Sequence, residues 1–180
     1  MLKRIAINDM KVIFLNGKDN INKFNLRGVV NTPGFNRVTS LGIVKDADGH
    51  AKNTFMSICG ILKKVNLPSP KRPAEIVKIN NFNIGILIIP PEELSGTLED
   101  ICLFAIGQYK EMECVEEYFK CLSRKVAVDK LPKNLSKAKI QAFLASREHS
   151  VPHLGIAIEK GYFPLDHKIF DNIKNFLKLL

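Results

Sequence analysis

Leu41-Gly42-Ile43-Val44-Lys45-Asp46-Ala47-Asp48-Gly49 is the stretch whose reading decides the fold. Four apolar residues in a row, without polar alternation, predict a strand buried on both faces, as in a parallel sheet. The run then delivers two aspartates and a glycine to the end of that strand. Directly afterwards the period changes. Ala51, Phe55, Ile58, Leu62 and Val65 recur at steps of four and three, which predicts an amphipathic helix with Lys52, Asn53, Lys63 and Lys64 on its other faces. A buried strand, an acidic turn and a helix in that order open an α/β fold.

Working outward, Pro68, Pro70 and Pro73 end the helix, and two strands are expected over Glu75 to Ile79 and Ile84 to Ile89. Asn80-Asn81-Phe82-Asn83 is read as the turn between them. Upstream, Lys11-Val12-Ile13-Phe14-Leu15 reads as a short strand stopped by Asn16-Gly17, and Asn31-Thr32-Pro33-Gly34 is another break. From Thr97 onward the pattern is helical. Its stripes are Leu98, Ile101, Cys102 and Ala105; then Met112, Val115, Phe119 and Leu122; then Leu135, Ala138, Ala142 and Ala145. A last helix is expected from about Lys168, with Ile169, Ile173, Phe176 and Leu180 on one face and Asp166 as its N-cap. There is no internal repeat and no interdomain linker, so the expected organisation is a single domain over 1–180, a mostly parallel sheet with helices around it and a helical C-terminal part.

Composition agrees. At 180 residues, 46% hydrophobic and 25% charged, the chain suits one globular domain with a real core. Its longest apolar run, Ile84 to Ile89, is broken by Pro90 and Pro91, too short to span a bilayer. The N-terminus shows neither an extended apolar region nor a small-residue cleavage site, so secretion is not supported and a cytoplasmic protein is expected. Cys59, Cys102, Cys114 and Cys121 form no Cys-x-x-Cys pair and read as thiols of a reducing compartment. The net charge of +9 favours an anionic partner, nucleic acid before a membrane surface. Within that basic chain the acids cluster, at Glu92, Glu93, Glu99 and Asp100 and again from Glu111 to Glu117.

Asp46 and Asp48 lie two residues apart, so continued strand geometry points both side chains the same way. Converging carboxylates repel unless a cation sits between them, and hard oxygen ligands suit Mg²⁺ or Mn²⁺. The competing reading is that the pair caps the following helix and forms the Asp48-Gly49 turn. An EF-hand does not fit, since Gly49 comes too early and His50 stands where Asp or Asn is needed.

The order of parts adds to this. An apolar strand into Asp46-Ala47-Asp48, an amphipathic helix, a Pro-rich break, an apolar strand ending in Pro90, then Gly96-Thr97-Leu98-Glu99-Asp100 resembles the Toprim-like domains. Most similar is an uncharacterised bacterial and archaeal branch related to the Toprim domains of overcoming-lysogenization-defect nucleases. The resemblance runs from about Lys11 to the C-terminus and includes Lys137-Ala138-Lys139-Ile140 and Gly161-Tyr162-Phe163. It implies a Rossmann-like sheet and metal-dependent phosphoryl transfer on nucleic acid. Asp46 and Asp48 would match the family's Asp-x-Asp metal ligands, and Glu99 the acid of its Gly-Thr-Leu-Glu motif. Without a metal, Glu99 and Asp100 would instead complement the dipole of a helix capped by Thr97. Lys137 is the candidate phosphate or transition-state contact, because the family carries a basic residue near there. Lys18 reads as a solvated loop residue. His149 and His153 have ligand spacing, but Pro152 between them ends any shared helix.

One family feature is missing. Toprim enzymes carry a glutamate at the end of the first strand, thought to handle proton transfer. If Lys11 to Leu15 is that strand, the acid has become Asn16, whose amide is no base. If it is the second strand, the first strand and helix lie upstream of Met1. The second alignment is preferred, since the roughly 25 residues between Asn16 and Leu41 leave little room for the usual helix and further strand. The sheet would then be completed by an upstream or partner segment, or in a homo-oligomer. Two functions follow: a Mg²⁺- or Mn²⁺-dependent nuclease-like enzyme, incomplete or inactive in this chain, or a non-catalytic module binding nucleic acid or protein on the same scaffold.

Overall fold

The computed structural model describes residues 10–13, 15, 21–47, 49–90 and 96–180. They divide into two compact units, a sheet unit of residues 2–97 and 172–180 and a helical unit of residues 98–171.

In the sheet unit, α1 (Lys23–Val30) begins at Asn22, whose side chain accepts from the Asn25 N–H at 2.9 Å. Strand β1 (Ser40–Asp46) leads into α2 (Ala51–Lys64), then β2 (Ile76–Ile79) and β3 (Phe82–Ile89). The sheet order is β1-β3-β2. β1 runs parallel to β3, from Ser40 opposite Asn83 to Asp46 opposite Ile89. β2 runs antiparallel to β3, joined by a two-residue turn at Asn80-Asn81, with Asn80 at φ 53°. The expected turn is therefore real, but β3 starts at Phe82 and the sheet is mixed rather than mostly parallel.

β3 is the buried centre, with Ile84 to Ile89 all shielded from solvent. β1 is different. Among the described residues it is an edge strand, with Ile43 buried and Val44 46% exposed. The two apolar runs look alike in sequence; which one lies in the middle depends on pairing, and pairing gave the centre to β3.

The sheet's two faces are covered differently. On one, Ile43, Ile84, Ile86 and Ile88 meet Phe55, Ile58, Cys59 and Leu62 of α2 and Leu26 of α1. This is the stripe expected of α2, with Cys59 added. On the other lies α7 (Asp171–Leu179), whose residues from Asn172 belong to this unit. Gly42 and Gly85 oppose one another in the β1–β3 ladder and leave a bare floor there. A Cβ on Gly85 would stand 2.6 Å from Phe176 Cε2, and one on Gly42 would run into Leu180 Cδ1. The Leu180 carbonyl accepts from Ser40 Oγ and from Asn83 Nδ2 at 3.1 Å, fixing the C-terminal residue to the strand starts.

The helical unit contains α3 (Leu98–Ile106), α4 (Lys110–Lys125), α5 (Leu135–Ala145) and α6 (Leu154–Glu159). Its core holds Ile101, Cys102, Ile106, Met112, Val115, Ile140, Phe143 and Phe163. Phe143 and Phe163 meet edge to face with ring centroids 5.6 Å apart, so the Gly161-Tyr162-Phe163 segment plugs into α5. Arg147 lies over the Phe143 and Tyr162 rings, at 5.3 and 5.1 Å, and its guanidinium pairs with Glu111.

Three local expectations fail here or nearby. The stripe on α5 is not Leu135, Ala138, Ala142 and Ala145 but Ile140, Phe143 and Leu144, while Leu135 is 47% exposed. Burial follows apolar area, and three large side chains at i, i+3 and i+4 outweigh a row of methyls. His167, not Asp166, caps the turn before α7, its Nδ1 accepting from the Ile169 N–H at 3.1 Å; α7 itself starts at Asp171. Lys11, Val12 and Ile13 form no strand, and Val12 and Ile13 are exposed, so the run lacks the burial a short apolar strand needs. Phe14 lies outside the described residues. Among the described residues no helix is long and apolar enough to cross a membrane.

Candidate functional site

The connection from β1 to α2 is built around the Ala47 carbonyl. The Ala47 N–H extends the parallel ladder by donating to Ile89 O at 2.8 Å, and the methyl is buried. Its carbonyl accepts from the His50 N–H at 2.9 Å, closing a tight turn, and from Thr54 Oγ1 at 3.0 Å. Gly49 sits in the third position of that turn at φ 83°, a conformation that favours glycine. The N-cap residue of α2 is His50, with no side-chain cap bond of its own.

Asp46 is exposed at the carboxyl end of β1, and by strand alternation it shares a face with Gly42 and Val44. Asp48 lies outside the described residues. At the same end of the sheet, β3 is followed by a cis bond between Ile89 and Pro90.

Glu99 and Lys137 belong to the helical unit, in the first turns of α3 and α5. Those turns adjoin, because Ser136 Oγ donates to Asp100 Oδ1. Asp100 is thus engaged by α5, in keeping with a structural role. The Lys137 N–H donates to Asn134 Oδ1, the N-cap, at 2.8 Å, while its side chain is exposed. Two residues on, Lys139 is committed to Glu116 at 2.6 Å. Beside Glu99, the Cys102 thiol is pushed up to about 12, chiefly by burial and secondarily by the Glu99 charge. Burial also raises Cys59. Among the described residues, no group of three or more His, Cys, Asp or Glu could hold a metal ion. His149 and His153 are exposed and lie in the segment between α5 and α6.

Charge is divided between the units in a way the chain total conceals. The helical unit has 11 Lys and Arg against 11 Asp and Glu. Among the described residues of the sheet unit, 13 Lys and Arg stand against 2 acids, Asp46 and Glu75. The net charge therefore resides with the sheet, and Asp46 is a carboxylate in a cationic domain.

These features define an α/β protein with a small mixed sheet, a glycine turn after its parallel edge strand, and a separate helical unit. The chain belongs to the family described as Protein of unknown function (DUF3226), whose model matches residues 2–180. No match was found among curated proteins or among solved structures.

Proposed function

We propose that this chain is a Toprim-like domain that binds a divalent cation and acts on the phosphates of nucleic acid in the cytoplasm. One arrangement carries the reading: β1 runs parallel to β3, ends at Asp46, and turns through Gly49 into α2. In open α/β sheets, ligands gather beyond the carboxyl ends of parallel strands. The cationic sheet unit supports a polyanionic partner.

Carboxylate oxygens suit Mg²⁺ or Mn²⁺, and Asp46 with Asp48 would hold the ion; the resemblance assigns Glu99 to metal as well. When bound, such an ion supplies charge neutralisation at a phosphodiester and acidification of a water. Lys137, an exposed ammonium on a flexible stem, would meet a phosphate as a point charge. If Lys11 to Leu15 is the family's first strand, Asn16 stands where its base belongs, and an amide takes no proton at neutral pH. Under either alignment no family glutamate is evident in this sequence, which favours the second reading, a non-catalytic module that binds nucleic acid or protein on the same scaffold.

Calorimetric titration with Mn²⁺ tests the proposal. Weak binding is expected for the wild type and none for Asp46→Ala/Asp48→Ala. Equal heats for the two proteins would remove the aspartate pair as a metal site, and unchanged heats for Glu99→Ala would remove Glu99 as a metal residue.

A further inference from the structure

We infer that the outer face of α1 is a docking surface for single-stranded nucleic acid, with Phe24 as the platform on which a base stacks. This rests on the reading of a nucleic-acid partner and adds its strandedness and its place of contact.

Phe24 is 84% exposed, although an aromatic ring of that size gains far more when buried. It is not stranded at a frayed end. α1 is pinned through Leu26, which is 4% exposed among Phe55, Ile58, Cys59 and Leu62, so the opposite face is held outward. That face presents Phe24 and Gly28, one turn apart and both exposed, with exposed Arg27 beside them and exposed Lys23 toward the Leu26 side. Gly28, one turn on from Phe24, has no side chain, and nothing lies within 4 Å of where its Cβ would be. One flank of the ring is therefore open to a flat ligand.

Charge identifies the occupant. α1 and α2 together carry Lys23, Arg27, Lys52, Lys63 and Lys64 and contain no acidic residue. An exposed aromatic between cations matches a strand whose phosphates meet the cations while a base lies on the ring. A duplex keeps its bases stacked on each other and offers no face to Phe24, so the partner is single-stranded.

The test is fluorescence anisotropy with labelled oligo(dT), in EDTA so that neither metal nor cleavage enters. Phe24→Ala should weaken binding on the order of tenfold, within the range for loss of one stacked base. Lys23→Gln/Arg27→Gln should flatten the salt dependence by about 0.7 per charge removed. Gly28→Leu should weaken binding by filling the open flank while raising the melting temperature, since glycine is a poor helix former. A merely structural role for this face would not produce those opposite movements. Because the assay holds no divalent cation, its outcome does not depend on the aspartate pair, and loss of the metal reading leaves this result standing.

Unchanged oligo(dT) affinity in Phe24→Ala overturns the inference. So does an equal loss for duplex and single strand, Phe24-dependent binding to phosphatidylserine vesicles without oligonucleotide binding, or Phe24-dependent self-association without it.

Discussion

Gly42 and Gly85 face each other across the parallel β1–β3 pair, and Phe176 of α7 packs on the floor they leave. Gly85→Ala should therefore destabilise the protein, because the new methyl would stand 2.6 Å from Phe176 Cε2. Overpacking of this kind costs about 1–3 kcal/mol. Urea unfolding should show a lower midpoint with an unchanged slope. The same substitution in a Phe176→Ala background should cost less, because the ring is gone and only the Ile76 side chain still crowds the methyl; fully additive losses would show that the methyl and the ring do not touch.

Cys102 predicts a pH dependence. Its thiol is neutral below about 9.0 in the unfolded chain and up to about 12 in the folded one. Between those values the folded state retains a proton the unfolded state has lost. The contribution is thus fully present below the unfolded pKa and is lost as pH rises through the window, by at most about 1.4 kcal/mol per pH unit. Denaturation midpoints of wild type and Cys102→Ala, followed from pH 8 to 11, should converge as pH rises. Parallel curves would show that the buried thiol is not the group responsible.

Cleavage of single- or double-stranded DNA should be slight even with Mn²⁺. Loss of a positioned acid or base slows such reactions on the order of 10² to 10⁴-fold. Asn16→Glu should not restore cutting under the preferred alignment. Robust, metal-dependent cleavage abolished by Asp48→Ala would show that proton transfer has another source in this chain.

The sequence reading went furthest where a local rule decides the outcome. The change of period at Ala51 located α2, and Gly49 located the turn, because helix amphipathicity and left-handed backbone are written in neighbouring residues. It failed where the outcome depended on distant parts. Leu41 to Val44 and Ile84 to Ile89 are both apolar runs, and only the sheet order makes the first an edge. On α5 the error was one of weight, since alanines mark an apolar face without the area that holds it in a core. The place of Asp46 at the end of β1 was legible because an apolar run stopping at a carboxylate is a local pattern. Phe24 was missed, since exposure of an aromatic residue is a property of how Leu26 anchors α1 and has no local signature.

The sheet unit is assembled from two stretches of chain, with residues 98–171 between them. Everything that packs beneath Ile84, Ile86 and Ile88 is synthesised by the time β3 emerges, so that face can close during translation. The face carrying Gly42 and Gly85 must wait for Phe176, which the chain reaches only after the whole helical unit. Contacts of such long sequence separation form slowly. On the ribosome, then, the protein passes through a stage with one side of its sheet bare, and a nascent chain arrested before Asn172 would offer that strip to a chaperone.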